Sequence, residues 1–378
     1  MRVLQIGKYY PPEHGGMETH LADLCQKLKH EVDLEVVVSN KSPVSQTDNV
    51  DGVVVERLAT PMHVLGNPVN PALVRRIQHS KADIVHLHWP NPLGLLAYLA
   101  SRNPAPLVLT YHSDIVRQKL SGGLFRPILE MALRKATVLV TSPNYMESSP
   151  VLHKFQDRCH VVPLGIEAER YRRANPERVR EFRQRYGNKM IFATGRHVSY
   201  KGFEYLVKAM AHVDGHLVLG GDGPLRTQLQ ELAASLGVSE RITFTGRLSD
   251  GDMEALYAAC SVFCLPSVER SEAFGLVQLE AMAAGKPVVN TDVNSGVPYV
   301  SLHEKTGLTV PRADANSLAK ALTRLLREER QRRIYGENAS ARVDELFTVE
   351  RMAANTLRVY REVLGQSERA PAALASAV

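Results

Sequence analysis

The feature that most restricts the fold of this chain is an alternation of short apolar runs with helical patterns, which is completed once and then starts again. The first series predicts strands at residues 2–7, 34–40, 53–58, 83–88, 106–113, 137–142 and 159–166. The second series predicts strands at residues 190–195, 216–221, 242–246, 261–267, 287–291 and 306–311. Because alternation of strands and helices is typical of a mostly parallel, doubly wound sheet, the sequence predicts an α/β fold with two such domains in series.

The length of the chain agrees with two domains, because a single hydrophobic core stops growing at roughly 250–300 residues and this chain has 378. We place the first domain at residues 1–165 and the second at 166–348. The segment 349–365 contains a helical pattern, and the small, polar tail 366–378 is expected to be disordered. Ligands of doubly wound sheets bind at the carboxyl ends of the strands, so the expected active site is a cleft between the two domains.

Composition and charge indicate which kinds of partner this protein can have. A hydrophobic content of 44% and a charged content of 23% are typical of a soluble globular protein. The net charge of +6 suits anionic partners such as nucleotide phosphates or an anionic membrane surface, but it is too small and too evenly spread to indicate nucleic-acid binding. No window approaches about 20 uninterrupted apolar residues, so we expect a cytoplasmic protein whose membrane contact, if any, is peripheral. Cys260 and Cys264 lie in a predicted buried strand, where inert core thiols are favoured over a disulfide or a metal pair.

Paired glycines follow the first predicted strand. Gly15 and Gly16 stand at the start of a helical pattern, where glycine allows a ligand to approach the backbone and the helix N–H groups can bind an anion. The alternative is an ordinary flexible turn. The spacing is not G-x-G-x-x-G, so this is not a dinucleotide fingerprint.

Two cations follow the first strand of the second domain. Arg196 and Lys201 lie in "TGRHVSYKG", between a strand and a helix. A guanidinium fork and an ammonium group in one loop suit a diphosphate, although exposed cations are common without such a role. The next glycine-rich segment, "LVLGGDGPLR", lacks the Lys-Ser/Thr of a P-loop, and we interpret it as a tight turn between a strand and a helix.

Several other polar residues have competing interpretations. Asp250 and Asp252 can bind a metal, but they precede a helical pattern, and an N-cap is favoured. His86 and His88 share one strand face, but no third ligand is evident nearby, so a structural or pocket-wall role is favoured over a metal site. His112 follows a strand of the first domain at the edge where the cleft is expected, and a catalytic and a structural role are equally consistent with that position.

The segment "SEAFGLVQLEAMAAGKP" carries two carboxylates near one helix. Eight helical residues rise about 12 Å, so Glu272 and Glu280 are separated by about the span from the sugar to the ribose of a nucleotide-sugar. The helix N-terminus between them offers N–H groups and partial positive charge to a phosphate. The alternative is that Glu280 simply reaches solvent along one edge of the helix.

Taken together, these motifs resemble glycosyltransferase family 4, the group 1 glycosyltransferases. The resemblance covers about residues 1–365 and includes the G-G-x-E motif at 15–18, "GRHVSYKG", "FTGRLSD" and the E-x7-E spacing that begins at Glu272. It implies the GT-B architecture, in which two Rossmann-like doubly wound domains face each other across a cleft. The first domain would then be the acceptor side, the second would bind the nucleotide-sugar, and the segment 349–365 would cross back to the first domain.

The resemblance also implies roles for individual residues. Arg196 and Lys201 would clamp the donor diphosphate, Glu272 would contact the donor sugar, and His112 would lie near its anomeric carbon. Glu280 would hold the ribose hydroxyls. The complete set of implied donor-binding residues is Gly15, Gly16, Gly246, Arg247, Leu248, Phe274, Gly275, Leu276 and Glu280.

The implied activity is transfer of a hexose-type sugar, with retention of configuration, from a UDP- or GDP-sugar to a glycan acceptor that is lipid-linked. No metal and no cofactor are expected. The alternatives are a sugar-nucleotide epimerase and a nucleotide-sugar-binding protein that has lost activity. The loop "DVNSGVPYV" stands where many relatives have a G-G-x-x-E motif, which leaves the identity of the sugar open.

A peripheral membrane contact is the last prediction. Residues 114–135 carry five basic and two acidic residues among leucine, isoleucine and phenylalanine, and such a segment can lie on anionic lipid at the inner face of the membrane. An ordinary surface helix whose apolar face covers the core is the competing interpretation, because Gly122, Gly123 and Pro127 interrupt the pattern.

Overall fold

A computed structural model describes residues 1–13, 15–114 and 119–366 of the chain. The strands are β1 Arg2–Ile6, β2 Asp33–Ser39, β3 Gln46–Val50, β4 Val53–Leu58, β5 Met62–Val64, β6 Asn67–Val69, β7 Ile84–Trp89, β8 Leu107–Tyr111, β9 Thr137–Val140, β10 Cys159–Val161, β11 Met190–Thr194, β12 His216–Gly220, β13 Ile242–Gly246, β14 Val262–Leu265, β15 Val288–Thr291 and β16 Gly307–Val310.

The α-helices alternate with these strands. They are α1 Gly16–Leu28, α2 Pro71–Gln78, α3 Pro92–Ser101, α4 Lys119–Leu133, α5 Pro143–Ser148, α6 Ala168–Arg172, α7 Pro176–Tyr186, α8 Phe203–Ala209, α9 Arg226–Ser235, α10 Asp250–Ala259, α11 Leu276–Ala283, α12 Val297–Val300, α13 Ala315–Arg327, α14 Glu329–Leu346 and α15 Val349–Val363.

The chain divides into two compact units, each built around one large sheet. The first unit comprises Met1–Val140, Ser149–Val162 and the chain from Val349 onward. The second unit comprises Thr141–Ser148 and Pro163–Thr348. The polypeptide therefore returns to the first unit through α15.

The sheet of the first unit has the order β10-β9-β8-β7-β1-β2-β4-β3, and all neighbours are parallel except the last pair. The central strands β1, β7 and β8 are buried on both faces, as expected for the middle of a parallel sheet, although one face carries the polar side chains of Gln5, His86 and His88. Helices α1 and α15 pack together over one of these faces, where Tyr360 is completely buried.

Three strands of the first unit were not predicted from the sequence. The edge strand β3 ("QTDNV") is largely exposed, so it has no apolar alternation to mark it. The hairpin of β5 and β6 consists of two three-residue strands joined at Leu65 and Gly66, which both have positive φ. Short strands that bury little apolar surface are set by turn geometry and tertiary contacts, which period-based analysis does not detect.

The sheet of the second unit has the order β13-β12-β11-β14-β15-β16 and is parallel throughout. Successive residues of β11 enter opposite cores, with Met190 and Phe192 on one side and Ile191 and Ala193 on the other. All six strands of this sheet were predicted from the sequence. Their carboxyl ends place the loops that contain Arg196, Gly221 and the segment before α11 along one edge of the sheet.

The four cysteines are free thiols, and Cys25, Cys260 and Cys264 are buried. The prediction of core thiols at Cys260 and Cys264 is therefore confirmed. Burial raises the pKa of the Cys260 thiol to about 11, so it stays protonated and unreactive at neutral pH.

Two predictions fall partly or wholly outside the described residues. The segment 114–135 includes residues 115–118, and the tail predicted at 366–378 includes residues 367–378, neither of which the structure describes. Within the described ranges, none of the helices has both the length and the apolarity that crossing a bilayer requires.

Candidate active site

A cavity of about 560 Å³ opens at the carboxyl ends of β11 and β12. It is lined by Gly195, Arg196, Gly221, Asp222, Gly223, Pro224 and Arg247. The side chains of Arg196 and Arg247 are exposed, and neither makes an ion pair or hydrogen bond with another of the described residues. Two uncompensated guanidinium groups at one cavity suit an anionic ligand.

The glycines of the cavity wall are required by close backbone approach. A Cβ on Gly221 would lie 2.1 Å from the carbonyl oxygen of Gly195, and Gly221 has a φ of +95°. The N–H of His197 donates to the carbonyl of Asp222 (2.9 Å), which holds this turn against the loop that follows β11. The tight turn predicted for "LVLGGDGPLR" is thus confirmed, and the structure adds that this turn lines the cavity.

Lys201 and Glu272 form a buried ion pair. Lys201 Nζ lies 2.5 Å from Glu272 Oε2, and each residue is only 8% exposed. Ser267 donates a further hydrogen bond to the same carboxylate oxygen (3.1 Å). Burial alone would lower the pKa of Lys201, but Glu272, with smaller contributions from Tyr200 and Glu280, more than offsets this, and the pKa is raised, so the ammonium is fully charged at neutral pH.

The backbone around Lys201 explains how its side chain reaches Glu272. A 3₁₀ turn, Ser199–Lys201, ends at Gly202, whose φ is +66°. A Cβ on Gly202 would lie 2.1 Å from the carbonyl oxygen of Pro266, so only glycine lets this loop approach the end of β14 so closely. The approach aims the lysine at the loop that follows β14, which carries Glu272.

Helix α11 begins later than the sequence analysis assumed. It starts at Leu276 after Gly275, whose φ is +76°, and Glu272 lies in the preceding irregular loop. The estimate of eight helical residues between Glu272 and Glu280 is therefore wrong, because only the part from Leu276 onward is helical. The cause is local, since a Cβ on Gly275 would lie 2.6 Å from Leu265 Cδ2 and the chain must turn there.

The start of α11 leaves backbone donors available. Among the described residues, the N–H groups of Phe274, Gly275 and Leu276 donate to no protein acceptor. Such N–H groups, at the positive end of the helix dipole, bind anions. Phe274 itself is buried in the core of the second unit, which fixes the position of the turn.

Glu280 is partly buried and is held by two tyrosines. The hydroxyl of Tyr257 donates to Glu280 Oε2 (2.5 Å), and Tyr171 forms a second hydrogen bond with the carboxylate. Burial raises the pKa of Glu280, and the two hydroxyl donors oppose that rise. The negative charge of Glu280 also acts on Lys201, which places the carboxylate within electrostatic range of the ion pair.

The prediction that an aspartate caps α10 is wrong. The N-cap is Ser249, whose hydroxyl accepts from the N–H of Asp252 (3.2 Å). Asp250 and Asp252 lie in the first turn of the helix instead, and each pairs with an arginine from a neighbouring helix: Arg170 (2.7 Å) and Arg178 (2.6 Å). Both carboxylates are thus already neutralised within the protein.

In the first unit, the paired glycines begin α1 as predicted. Gly15 is the N-cap and Gly16 the first helical residue, and both are exposed. A Cβ on Gly15 would lie 2.2 Å from a carboxylate oxygen of Glu18, whereas a Cβ on Gly16 would meet none of the described atoms within 4 Å. None of the described side chains therefore blocks a ligand from approaching Gly16.

His112 belongs to a buried cluster of imidazoles. Its Nε2 lies 3.1 Å from His88 Nδ1, and His20 packs edge-on against it with ring centroids 4.8 Å apart. The group that could hold a metal is not the pair of His86 and His88 considered from the sequence: nitrogens of His20, His88 and His112 all lie within 4.8 Å of one another, and His86 is not part of the group. The sequence does not indicate this group, because His20 lies on α1 and His112 directly follows β8.

The structure therefore brings the predicted residues together in groups. Arg196 and Arg247 share the cavity, and Lys201 contacts Glu272 near the start of α11. By contrast, Leu248 packs against the hydrophobic core, and neither it nor Gly246 is part of the cavity lining.

Sequence analysis did not identify Tyr171, Tyr257, Asp222 or His20 as parts of the site. The tyrosines lie on α6 and α10, more than twenty residues from Glu280, and no local spacing connects them. Asp222 lies inside a motif that was interpreted only as a turn. The one available signal was a carboxylate on an apolar helix, which requires buried hydrogen-bond donors from elsewhere in the fold.

Comparison with known proteins gives matches along most of the chain. Residues 176–342 match the family model "Glycosyl transferases group 1", and residues 14–170 match "Glycosyltransferase Family 4". The chain is similar to D-rhamnosyltransferase WbpZ of Pseudomonas aeruginosa, with 31% identity over 353 residues that cover 92% of each chain. It is also similar to O-antigen chain mannosyltransferase C of Escherichia coli, with 31% identity over 371 residues, 96% of this chain and 99% of the relative.

Two further similarities concern a more distant relative and a solved structure. A GDP-mannose-dependent alpha-(1-6)-phosphatidylinositol monomannoside mannosyltransferase of Mycobacterium tuberculosis is 29% identical over 349 residues, 86% of this chain and 89% of the relative. The structure of sucrose-phosphate synthase from Thermosynechococcus elongatus matches with a TM-score of 0.80 and 23% identity, over 97% of this chain and all of that one. At this identity the structural likeness establishes the fold alone.

Proposed function

Since the chain belongs to the group 1, family 4 glycosyltransferases, which transfer sugars from nucleotide donors, we propose that it moves a hexose-type sugar with retention of configuration to a glycan acceptor. Its fold is the GT-B fold. The observation that carries the proposal is the buried pair of Lys201 and Glu272 beside the start of α11, at the same sheet edge as the cavity with Arg196 and Arg247.

The cations would hold the diphosphate of the donor. An ammonium group has three donors, and Lys201 uses one on Glu272, so two remain for phosphate oxygens without breaking the ion pair. Arg196 adds a guanidinium fork, and the N–H groups at the start of α11 add uncharged donors. When the diphosphate leaves, negative charge develops on it, and these preorganised groups stabilise that charge.

The carboxylates would bind the hydroxyl groups of the donor at its two ends. Glu272 accepts hydrogen bonds from the sugar while it is paired with Lys201. Glu280 accepts hydrogen bonds from Tyr257 and Tyr171, and the roughly two acceptor sites that remain on its carboxylate suit the two vicinal hydroxyls of a ribose. In this assignment Glu280 serves binding, whereas Glu272 serves the reacting sugar.

The chemical step breaks the bond between the anomeric carbon and the phosphate oxygen and forms a bond from the same carbon to the acceptor oxygen. Attack from the face that the diphosphate leaves retains the configuration, and the departing phosphate oxygen takes the acceptor proton. A retaining-hydrolase pair of carboxylates is not needed. His112 is assigned to the vicinity of the anomeric carbon, and Gly15 and Gly16 to the approach of the donor.

No metal is assigned to this reaction, because Arg196, Lys201 and the helix N-terminus supply the positive charge that a diphosphate needs. Asp250 and Asp252, the pair with metal-binding spacing, are engaged by arginines. The expected result is that chelation with EDTA leaves the rate of transfer unchanged. A rate that falls on chelation and returns on adding Mg²⁺ or Mn²⁺ would contradict this assignment.

The donor is proposed to be a GDP-linked sugar of the mannose type. The support comes from the names of similar proteins, which act with rhamnose or mannose, and one of which is GDP-mannose-dependent. The acceptor is proposed to be a lipid-linked glycan at the inner face of the membrane, with residues 114–135 as the contact with lipid. Vesicle co-sedimentation tests the last point, and binding that is equal for neutral and anionic vesicles would contradict it.

A donor panel tests the proposal directly. A ligand that binds only the native state raises Tm, and we expect GDP-mannose to raise it more than GDP-glucose, UDP-glucose or UDP-N-acetylglucosamine. An absence of any shift with nucleotide-sugars would count against the whole assignment. A shift with UDP-sugars alone would overturn only the choice of base.

Variants test the residue roles. Lys201→Ala and Glu272→Ala should lose most turnover, whereas Glu280→Ala should mainly raise the donor KM. Lys189→Ala is the matched control, since Lys189 forms an exposed ion pair with Asp214 elsewhere in the same unit. Unchanged turnover in both Lys201→Ala and Glu272→Ala would refute the site.

A further inference from the structure

One hydroxyl group of α15 makes hydrogen bonds within a buried polar cluster of the first unit. Tyr360 of α15 is completely buried, and its hydroxyl lies 2.6 Å from His86 Nδ1. The same hydroxyl accepts a hydrogen bond from the side-chain amide of Gln5 on β1 (2.9 Å). The other ring nitrogen of His86, Nε2, lies 2.7 Å from the hydroxyl oxygen of Thr110.

The amide of Gln5 carries this network toward the proposed active-site histidine. Gln5 Oε1 lies 3.0 Å from His88 Nε2. His88 Nδ1 in turn lies 3.1 Å from His112 Nε2. A continuous hydrogen-bond chain therefore runs from Tyr360 through Gln5 and His88 to His112, and all four side chains are buried.

The direction of this chain follows from the chemistry of the amide. Burial lowers the pKa of His88 and His112 well below the usual range, so each is neutral and has one N–H. An amide oxygen only accepts, so His88 carries its proton on Nε2 and its Nδ1 must accept. His112 then carries its proton on Nε2, and its Nδ1 keeps a lone pair.

Tyr360 accepts the nitrogen end of the Gln5 amide, which leaves the amide oxygen directed at His88. With this orientation the Tyr360 hydroxyl can donate to His86 Nδ1, and His86 Nε2 can donate to Thr110. If the Gln5 amide were reversed, the histidine protons along the chain would reverse with it, and His112 would carry its proton on Nδ1. The orientation of one glutamine therefore decides which nitrogen of His112 is an acceptor.

We infer that Gln5 and Tyr360 are positioning residues that set the tautomer of His112, so that its Nδ1 acts as a hydrogen-bond acceptor toward a hydroxyl group of the bound donor sugar. The tautomer follows from the hydrogen bonds alone. Its consequence for turnover rests on the proposed function, in which His112 lies near the reacting sugar. Among the described residues, the side-chain hydrogen bond of His112 is made by Nε2, and Nδ1 makes none, as a substrate-facing acceptor requires.

His20 closes one side of this cluster without joining the chain. Its ring stands edge-on to His112, with an interplanar angle of 78°, and within the described ranges neither of its nitrogens has a hydrogen-bond partner. The three imidazoles have the composition of a zinc site. However, a shared proton already accounts for the 3.1 Å between His88 and His112, so a bound metal is an outcome that the experiment must distinguish.

The test uses the full-length protein labelled with ¹⁵N-histidine, in which the ring nitrogen shifts report the site of protonation. For the wild type we expect His112 to be protonated on Nε2 and not on Nδ1, with the signals assigned by their loss in His112→Gln. In Gln5→Met, His88 loses its acceptor, and the pattern at His112 should shift toward Nδ1 protonation or become mixed. Tyr360→Phe keeps the packing and should give a smaller change in the same direction.

Kinetics on the same variants separate positioning from general damage. Gln5→Met should lower kcat about tenfold, the size usual for loss of a group that orients a functional histidine, and leave the donor KM within about twofold. Gln26→Met and Tyr98→Phe are matched controls. Both side chains hydrogen-bond to backbone carbonyls of the first unit, and neither residue belongs to the hydrogen-bond chain from Tyr360 to His112. Both controls should behave as the wild type.

Three results would overturn the inference: Nδ1 protonation of His112 in the wild type, an unchanged NMR pattern in both Gln5→Met and Tyr360→Phe, or zinc bound stoichiometrically through His112. If the tautomer changes as expected but no nucleotide-sugar is turned over by the wild type, the proposed function fails and the tautomer assignment stands. If turnover is present and the tautomer does not respond, only the present inference fails.

Discussion

Removing the ammonium group of Lys201 should destabilise the protein by an amount that depends on pH. In Lys201→Met the side chain keeps most of its volume, but Glu272 remains buried in a site built for an ion pair. Breaking such a pair typically costs about 3–5 kcal/mol, because an uncompensated charge stays in a poorly solvated site. The carboxylate can limit this cost by taking a proton.

Protonation of Glu272 sets an upper limit on the stability that Lys201→Met can lose, and this limit can be calculated. An unfolded glutamate has a pKa of about 4.3, and protonating it costs about 1.4 kcal/mol for each pH unit above that value, or about 3.7 kcal/mol at pH 7 and about 1 kcal/mol at pH 5. Without the ammonium group, burial favours the neutral form of the carboxyl group over the charged one, so the variant loses stability as pH increases through this range. The raised pKa of Lys201 in the wild type changes nothing here, because its contribution is fully present below about pH 10.

Urea unfolding followed by far-UV circular dichroism at pH 5 and pH 7 measures the effect. We expect Lys201→Met to be about 3 kcal/mol less stable than the wild type at pH 7 and about 1 kcal/mol less stable at pH 5. The double variant Lys201→Met/Glu272→Leu should recover most of the loss, because no charge is then buried. Lys189→Met, which removes an exposed pair with Asp214, should change stability by less than about 1 kcal/mol at both values. A loss that is equal at pH 5 and pH 7, or a double variant no more stable than the single one, would refute this reasoning.

Three further predictions concern the same unit. Gly275→Ala should lower stability by about 1–3 kcal/mol, measured as a fall in Tm, because its φ of +76° and the contact with Leu265 exclude a Cβ; wild-type stability would contradict the turn geometry. Arg196→Met should raise the donor KM about tenfold, which is the scale of one lost charge-assisted hydrogen bond. Arg185 is an exposed arginine of the same unit, and the control variant Arg185→Met should leave the donor KM unchanged. Tyr257→Phe removes a hydroxyl that donates to Glu280, so the pKa of that carboxyl should rise further. Donor affinity, measured by calorimetry, should then fall more steeply toward acid pH than in the wild type. Parallel pH profiles of the two proteins would argue against a role for ionised Glu280.

Much of the fold was predictable because parallel strands are buried on both faces. The strands of the second sheet, β11 to β16, appear in the sequence as short apolar runs, and each was placed within a few residues of its observed bounds. The exposed edge strand β3 and the hairpin of β5 and β6 were missed, since their apolar content is low and their pairing is set by turns and neighbours. The observed start of a helix differs from the predicted one where a glycine with positive φ precedes it, as Gly275 does before α11.

The candidate site was predictable to a smaller extent. Residues in local motifs, such as Arg196, Lys201 and Glu272, could be identified because a strand end and a helix start bracket them. The contact between Lys201 and Glu272, the tyrosines that hold Glu280 and the cluster around His112 could not, because they join side chains from distant elements. A buried carboxylate or imidazole indicates that polar partners exist, but the sequence does not say which elements provide them.

The central claim is that the chain transfers a hexose from a nucleoside diphosphate with retention of configuration. Proton NMR of the first product formed from the nucleotide-sugar that raises Tm most, either by transfer or by slow hydrolysis, reads the configuration of the anomeric carbon before it equilibrates. We expect the same anomeric configuration as in the donor, and loss of that product in Lys201→Ala and Glu272→Ala. A first product of inverted configuration, or an isomerised nucleotide-sugar formed without any acceptor, would contradict it.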